Sequence, residues 1–288
     1  MIKIGLGTYS FGMDSTLPLV EKLQKAKDMG YTGIEFLAND MDSHSTQEIK
    51  EFLEQTGTEC WSLHASMDLI SGNIKKIADL GGKQIICPMH AFADAEEAID
   101  CAKQLTEKAK EAAEYGLRIG YHNHSDEFFL DNGKPLLSYV IENTEPGQVY
   151  FQLDCGWATA AGVDCADYIK QYSGRFCSVH VKENNKFVEP QRPRSAKDPV
   201  QRPPIELDEN GKPILTEAMK KMLEMLKERT KIQCPMGDAS SRVDWKAIKA
   251  ATDAQGLDCL WIVERENNYA NDMIRCLTED AAWLLNNL

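Results

Sequence analysis

Short runs of apolar residues alternate with longer segments of helical periodicity along most of the chain. Eight runs have the length and composition of buried β-strands, and each is followed by a segment of helical character. The predicted strands lie at 2–8, 33–37, 59–65, 84–89, 117–124, 149–154, 176–182 and 259–265. The predicted helices lie near 19–29, 45–56, 66–80, 94–115, 135–143, 164–172, 243–255 and 271–286. This alternation predicts parallel strands that are joined by right-handed helical crossovers.

Eight strand–helix units are the number that closes a barrel. We therefore predict a single (β/α)8 TIM-barrel domain that spans residues 1–288. An open doubly wound sheet is the alternative, but no G-x-G-x-x-G motif follows the first strand to favour it.

Residues 183–242 interrupt this rhythm after the seventh strand. The first part has prolines at 190, 193, 199, 203 and 204 with basic residues between them, and residues 213–230 have the spacing of an inserted amphipathic helix. A segment that follows a barrel strand lies on the catalytic face. We therefore expect a lid whose basic residues, such as Arg192, contact an anionic or polyhydroxy substrate. The alternative is a solvated loop or a contact between subunits.

Composition narrows the class of protein. The formal net charge is −13, which disfavours nucleic acids and anionic membrane surfaces as partners. No apolar run approaches the 18 or so residues of a membrane span. The first residues lack a signal-peptide pattern, and the nine cysteines include no C-x-x-C pair. We therefore expect a cytoplasmic protein without a structural zinc site or a disulfide framework.

Polar side chains gather where the last four predicted strands end, which is where barrel active sites form. His122, His124, Asp126 and Glu127 follow the fifth strand, Asp154 the sixth, His180 and Lys182 the seventh, and Glu264 and Glu266 the eighth. Polar groups inside a barrel are costly unless they are paired or coordinated. Taken singly, each could be a hydrogen-bonded core residue or a helix cap. Together, these carboxylates and imidazoles suit a divalent cation with open coordination positions.

In these motifs the chain resembles the xylose-isomerase-like TIM barrels, specifically the sugar phosphate isomerase/epimerase group that includes tagatose epimerases and inosose dehydratases. The matching motifs are GYHNH at 120–124 with EF at 127–128, LD at 153–154 with Trp157, AGVD at 161–164, GR at 174–175, VHVK at 179–182, VDW at 243–245 and IVE at 262–264. They occur in the expected order between about 116 and 270, whereas residues 1–115 match only in rhythm. These motifs together are specific to the superfamily, but they give only weak information about which substrate the protein binds.

The resemblance implies one divalent metal ion, Mn²⁺ in the first place, with Mg²⁺, Co²⁺ or Zn²⁺ as alternatives. Carried over to this sequence, its ligands are Glu127, Asp154, His180 and Glu264. In the epimerase branch the fifth-strand glutamate lies within the strand, and His122 stands at that position here. Either Glu127 reaches back to the metal or His122 replaces it as a ligand, and we favour Glu127.

The resemblance also implies an isomerase or epimerase that removes a proton next to a sugar carbonyl through a metal-stabilised enediolate. We expect catalytic roles for Glu127, Glu264, His122 and Lys182, and substrate-binding roles for His64, His124, Trp157 and Arg192. The alternative is a dehydratase or lyase that acts on inososes or on 3-keto sugars and their glycosides. An endonuclease-like enzyme and a non-catalytic sugar-binding barrel are less favoured. We expect a sugar or sugar phosphate as substrate and a homodimer or homotetramer as the assembly.

Overall fold

The computed structural model describes residues 2–12, 15–198, 230–267 and 272–288, with the short pieces 206–207 and 213–214 and single positions at 217, 220, 224 and 228. The barrel strands are β1 (Ile4–Gly7), β2 (Gly33–Leu37), β3 (Glu59–His64), β4 (Gln84–Cys87), β5 (Arg118–His122), β6 (Val149–Asp154), β7 (Phe176–Val181) and β8 (Leu260–Val263). Each strand pairs in parallel with the next, and β8 pairs with β1. The predicted (β/α)8 TIM barrel is therefore confirmed.

Helices connect these strands on the outside of the barrel. They are α1 (Leu19–Asp28), α2 (Ala38–Asp42), α3 (Thr46–Thr56), α4 (Ile70–Asp79), α5 (Ala95–Ala113), α6 (Leu136–Glu142), α7 (Cys155–Ala160), α8 (Cys165–Gln171), α9 (Trp245–Ala254) and α10 (Met273–Asn287). Short 3₁₀ helices occur at Thr8–Phe11, Met67–Leu69 and Asp126–Phe128. No helix in the described part of the chain has the length and apolar character to cross a membrane.

The boundaries differ from the predicted ones mainly where strands reach the site. The fifth strand ends at His122 rather than at residue 124, and the unpredicted helix α7 begins directly after β6. It begins there because the Asp154 side chain accepts a hydrogen bond from the backbone amide of Trp157 over 2.7 Å and so caps the helix.

The helix predicted at 213–230 lies mostly outside the described residues. Its first two positions, Pro213–Ile214, instead form a strand that pairs antiparallel with Glu206–Leu207.

The interior of the barrel is closed at its N-terminal end by the buried indole ring of Trp61. Glycines make room for this ring, since a Cβ on Gly33 would lie 1.8 Å from it and a Cβ on Gly5 would lie 2.8 Å from it. Above this floor, the amide nitrogen of Gln84 donates to the hydroxyls of Ser62 and Ser178. The interior therefore becomes polar towards its C-terminal end.

The segment after β7 is fastened to distant parts of the barrel. The buried Glu97 carboxylate, in the first turn of α5, accepts hydrogen bonds from the Ser195 hydroxyl over 2.5 Å and from the Ala196 amide over 3.2 Å. The Asp126 carboxylate accepts another from the Gln191 amide over 3.3 Å. These bonds hold residues 191–196 over the C-terminal face of the barrel.

Candidate active site

Four buried side chains from neighbouring strands meet at the C-terminal end of the barrel. They are His122 at the end of β5, Asp154 at the end of β6, His180 in β7 and Glu264 directly after β8. Each offers one ligand atom, and these atoms all lie within 4.8 Å of one another. Parallel register places them together, because Asp154 is paired with His180, and the Glu264 amide donates to the Val181 carbonyl. We call these residues the four-residue group.

Gln152 forms a second polar layer deeper in the barrel. It precedes Asp154 by two residues on β6, so both side chains face the interior. Its amide nitrogen donates to Glu35 Oε2 over 2.9 Å. Its Oε1 lies 2.7 Å from His64 Nε2 and 3.0 Å from His122 Nδ1. One amide thus connects β2, β3 and β5 under the four-residue group.

His180 lies between two carboxylates. Its Nε2 is 2.6 Å from Glu35 Oε1, and its Nδ1 is 2.7 Å from Glu264 Oε2. The Tyr9 hydroxyl donates to Glu35 Oε1 over 3.0 Å and lies 3.2 Å from His180 Nε2. Burial opposes protonation of His180, but Glu35 and Glu264 outweigh burial and raise its pKa to about 10. The imidazole is therefore protonated at neutral pH when no metal is bound.

Glu35 remains ionised although it is completely buried. Burial opposes its ionisation, but the nearby imidazoles of His64 and His180 outweigh this effect and lower its pKa to about 2. The Glu35 carboxylate is therefore ionised, and its oxygens accept hydrogen bonds, throughout the physiological pH range.

The ammonium group of Lys182 lies among three carboxylates. Its Nζ is 3.0 Å from Asp154 Oδ2, 3.0 Å from Glu264 Oε2 and 2.8 Å from Glu266 Oε2. Burial raises the pKa of Asp154 to about 6 even though Lys182 opposes the rise. Burial acts in the same direction on Glu264, but there Lys182 prevails and holds the pKa well below its usual value. Gly156 permits this packing, because a Cβ there would lie 2.6 Å from the Lys182 carbonyl oxygen.

Glu127 pairs with His124 beside the four-residue group and is not one of its members. Its carboxylate accepts hydrogen bonds from the Tyr121 hydroxyl over 3.0 Å and from the His124 amide over 2.8 Å, and it lies 4.0 Å from His124 Nδ1. Burial opposes ionisation of Glu127, but its contacts with His124 outweigh burial and lower its pKa. Burial also opposes protonation of His124, and Glu127 reverses this and raises the pKa. The structure thus brings His122, and not Glu127, to the other three ligand atoms.

Two adjoining cavities open above these residues. The inner cavity, of about 360 Å³, is bordered by Tyr9, His64, His122, His124 and Glu264 among others. The outer cavity, of about 720 Å³, is bordered by His90, Glu127, Trp157 and the inserted residues Pro193, Arg194 and Ala196 among others. The side chains of His124 and Glu266 border both cavities. A ligand in the inner cavity would therefore contact His122 and Glu264 of the four-residue group, and a larger one would extend to the inserted residues.

The remaining predicted substrate-binding residues lie in different places. Trp157 borders the outer cavity, and its ring lies 5.2 Å from Lys182 Nζ. Arg192 borders neither cavity, since its guanidinium lies 5.2 Å from the Phe129 ring and 3.8 Å from Asp131.

Three residues of the site were missed in the sequence, namely Tyr9, Glu35 and Gln152. Glu35 was detectable in principle, because it is the charged residue inside the otherwise apolar run 33–37. Gln152 is likewise a polar residue within the sixth strand. Their partners are distant in sequence, since Glu35 and Gln152 are separated by 117 in residue number, so local patterns give no indication of the contact.

The side chains of the four-residue group fit a divalent cation. Asp154 Oδ2 is buried and accepts no hydrogen bond from the residues the structure describes, although the Lys182 ammonium is 3.0 Å away. His122 Nε2 lies 3.9 Å from the same oxygen, less than twice a metal–ligand distance of about 2.1 Å, so both atoms can reach one ion. Two imidazoles with two carboxylates are a ligand set found around Zn²⁺, Co²⁺ and Mn²⁺. His64 also comes within the same range of His122 and His180.

Solved structures of similar fold cover nearly the whole chain, whereas no curated protein matches the sequence significantly. A sugar phosphate isomerase/epimerase from Parabacteroides distasonis is 19% identical, with a TM-score of 0.72, and the match covers 99% of this chain and 94% of that one. The IolI protein, solved with a bound zinc atom, is 15% identical, with a TM-score of 0.68, over 99% of this chain and 97% of that one. AsbF of Bacillus anthracis, a probable 3-DHS dehydratase involved in petrobactin synthesis, is 12% identical, with a TM-score of 0.66, over the full length of both chains.

At these identities the structural matches show a shared fold. The family is shown by the sequence itself, in which residues 23–286 match the xylose isomerase-like TIM barrel model. This match extends through residues 23–115, where the motifs gave no signal. The chain therefore belongs to the xylose isomerase-like TIM barrel family.

Proposed function

We propose that this protein is a divalent-metal-dependent isomerase or epimerase of a sugar or sugar phosphate. It would remove a proton from the carbon next to a carbonyl group. The observation that carries the proposal is the buried four-residue group, of which His122 and Glu264 border a cavity of about 360 Å³. At about 30 Å³ per water molecule this volume holds roughly 12 waters, which is enough for one sugar ring.

We assign the metal ion to His122, Asp154, His180 and Glu264. An ion held there supplies a positive charge that stabilises the negative charge developing on a substrate oxygen during enolisation. Mn²⁺ is our first choice, and Zn²⁺ and Co²⁺ suit the same ligands. Mg²⁺ suits them less well, because it prefers oxygen ligands to imidazole.

In this proposal, two groups that border the cavities transfer the proton. Glu264 is an ionised carboxylate on the inner cavity and can accept a proton. His124 borders both cavities, and Glu127 raises the pKa of its imidazole against the effect of burial, which favours the protonated form that can donate a proton. In this assignment Glu127 acts through His124.

Lys182 has a supporting role in this proposal. An ammonium group has three N–H donors, and Nζ already faces three carboxylates within 3.0 Å. Because its side chain is buried and borders neither cavity, we assign it to balancing the charge of the carboxylates.

A second candidate function is elimination of a substituent from the carbon beyond the enolised one, as a dehydratase or lyase performs. The outer cavity of about 720 Å³ favours it, because a leaving group larger than water would find room next to the inner cavity. The same acid and base would serve both reactions.

The test is deuterium exchange from D₂O into keto-sugars, their phosphates and inososes, with protein supplied with Mn²⁺ or Zn²⁺. We expect metal-dependent incorporation at the carbon next to the carbonyl, and product analysis then separates epimers, isomers and elimination products. A chelated sample and the Glu264→Gln variant are the controls. Folded, metal-loaded protein that exchanges no substrate of the panel contradicts the proposal.

A further inference from the structure

We propose that Gln152 is a positioning residue that fixes the tautomer of His122 and so presents Nε2 of that imidazole to the metal ion. The inference rests on the proposed function, because it concerns the same ion. Gln152 is completely buried, and its amide contacts Glu35, His64 and His122. These contacts determine which nitrogen of His122 carries a proton.

The orientation of the Gln152 amide follows from Glu35. That carboxylate also accepts a hydrogen bond from the Tyr9 hydroxyl, and it lies 2.6 Å from a nitrogen of His180, so donors surround it on several sides. A carboxylate in such surroundings offers only acceptor oxygens. The Gln152 group that faces Glu35 over 2.9 Å is therefore the NH₂ group, and the carbonyl oxygen faces the other way.

This orientation fixes the protons on two imidazoles. The Gln152 carbonyl oxygen lies 3.0 Å from His122 Nδ1 and 2.7 Å from His64 Nε2, and an amide oxygen only accepts. His122 must therefore carry its proton on Nδ1, and His64 must carry one on Nε2. In the neutral imidazole of His122, Nε2 then keeps its lone pair. That nitrogen is the one that lies 3.9 Å from Asp154 Oδ2.

The amide suits this place better than the alternatives. A carboxylate at position 152 would add a second negative charge beside Glu35 and would have no donor for it. An apolar side chain would leave His122 free to carry its proton on either nitrogen. In metal sites the partner of the second ring nitrogen commonly sets the tautomer, and its removal costs about 10–100-fold in metal affinity.

The first test needs no variant. Metal-free protein labelled with ¹⁵N in its six histidines is studied by NMR at neutral pH, with the His122→Gln variant used to assign the signal. We expect His122 to show a protonated Nδ1 and an unprotonated Nε2, because Nδ1 faces the Gln152 carbonyl oxygen over 3.0 Å. A proton found on Nε2 overturns the proposal.

The second test compares Gln152→Met with a matched control, Gln84→Met. Gln84 is an equally buried glutamine of the barrel interior whose amide nitrogen donates to the hydroxyls of Ser62 and Ser178 rather than to a group beside His122. We expect Gln152→Met to mix the His122 tautomers and to weaken Mn²⁺ or Zn²⁺ binding about 10–100-fold, measured by calorimetry. Gln84→Met should change neither.

The outcomes separate this proposal from the function. Mixed tautomers with unchanged metal affinity, or equal losses in both variants, would reduce Gln152 to a structural residue. If the wild-type protein binds no divalent metal, the proposed function fails, and the NMR result still decides whether Gln152 sets the tautomer. Metal binding that depends on Gln152, in a protein without any exchange activity, would support the positioning role and contradict the isomerase assignment.

Discussion

The two halves of the barrel mouth make different contributions to the candidate metal centre. Strands β5 to β8 supply the four-residue group, whereas β1 to β4 and the residues that follow β1 supply Tyr9, Glu35 and His64. The side chains of this first half orient those of the second half and set their protonation. A metal ion bound at the four-residue group would therefore depend on both halves, although its four proposed ligands come from one of them.

The largest expected effect comes from the half that supplies the ligands. Asp154→Asn keeps a side-chain oxygen to cap α7 but removes a charged ligand. We expect Mn²⁺ or Zn²⁺ affinity to fall by more than about 100-fold, beyond the ~10–100-fold typical of an outer partner. The control is Asp164→Asn, since Asp164 caps α8 in the same way at an exposed position. Calorimetric titration of both proteins measures the difference, and unchanged affinity in Asp154→Asn would remove Asp154 from the metal site.

The family resemblance and the structure point to different residues as the metal ligand supplied by the fifth strand. The structure brings His122 into the four-residue group and pairs Glu127 with His124. We therefore expect His122→Ala to weaken metal binding by more than about 100-fold and Glu127→Gln to weaken it by less than about threefold, which is under 1 kcal/mol. The same titrations decide the matter, and the opposite ranking would make Glu127 the ligand.

The first half should control the pH dependence of metal binding. With its pKa near 10, His180 must lose a proton before Nδ1 can bind a metal, so affinity should rise about tenfold per pH unit from pH 7 to 9. Glu35→Gln removes a negative charge that raises this pKa, so the rise should level off at a lower pH. Proton release measured in buffers of different ionisation enthalpy gives both profiles. Identical profiles would show that Glu35 does not set the protonation of His180.

The smallest expected effect concerns the inserted segment. Arg192 lies outside both cavities, whereas Arg194 borders the outer one. With a substrate identified by deuterium exchange, Arg192→Ala should change KM by less than about threefold, which corresponds to under 1 kcal/mol. Arg194→Ala should raise KM more. Equal effects of the two variants would mean that the outer cavity does not bind substrate.

The fold and the second half of the site are largely predictable from sequence. Strand ends are marked by polar residues after apolar runs, and parallel strands bring such ends together, so Asp154, His180 and Glu264 could be grouped without coordinates. The strand pattern also fixed the side of the barrel on which they lie.

The polar layer beneath the site, which joins Glu35 of the first half to Gln152 of the second, could not be predicted in the same way. Glu35 and Gln152 lie within strands, and their alternation shows that they face inward without showing what they meet across the barrel. The choice between His122 and Glu127 also depends on a local detail, because β5 ends at His122 and the following 3₁₀ helix turns Glu127 back towards Tyr121 and His124. A turn of this kind is not specified by apolar spacing.

The hydrogen bonds of Glu97 have a mechanical consequence for these two halves. The segment that holds them leaves the barrel after β7 but is fastened to the first turn of α5, which follows β4. It is therefore a strap whose two ends belong to opposite halves of the mouth, and its residues form a wall of the outer cavity. If a bulky molecule can pass this wall only when these hydrogen bonds break, we expect the turnover number to depend on the Glu97 carboxylate, which borders neither cavity.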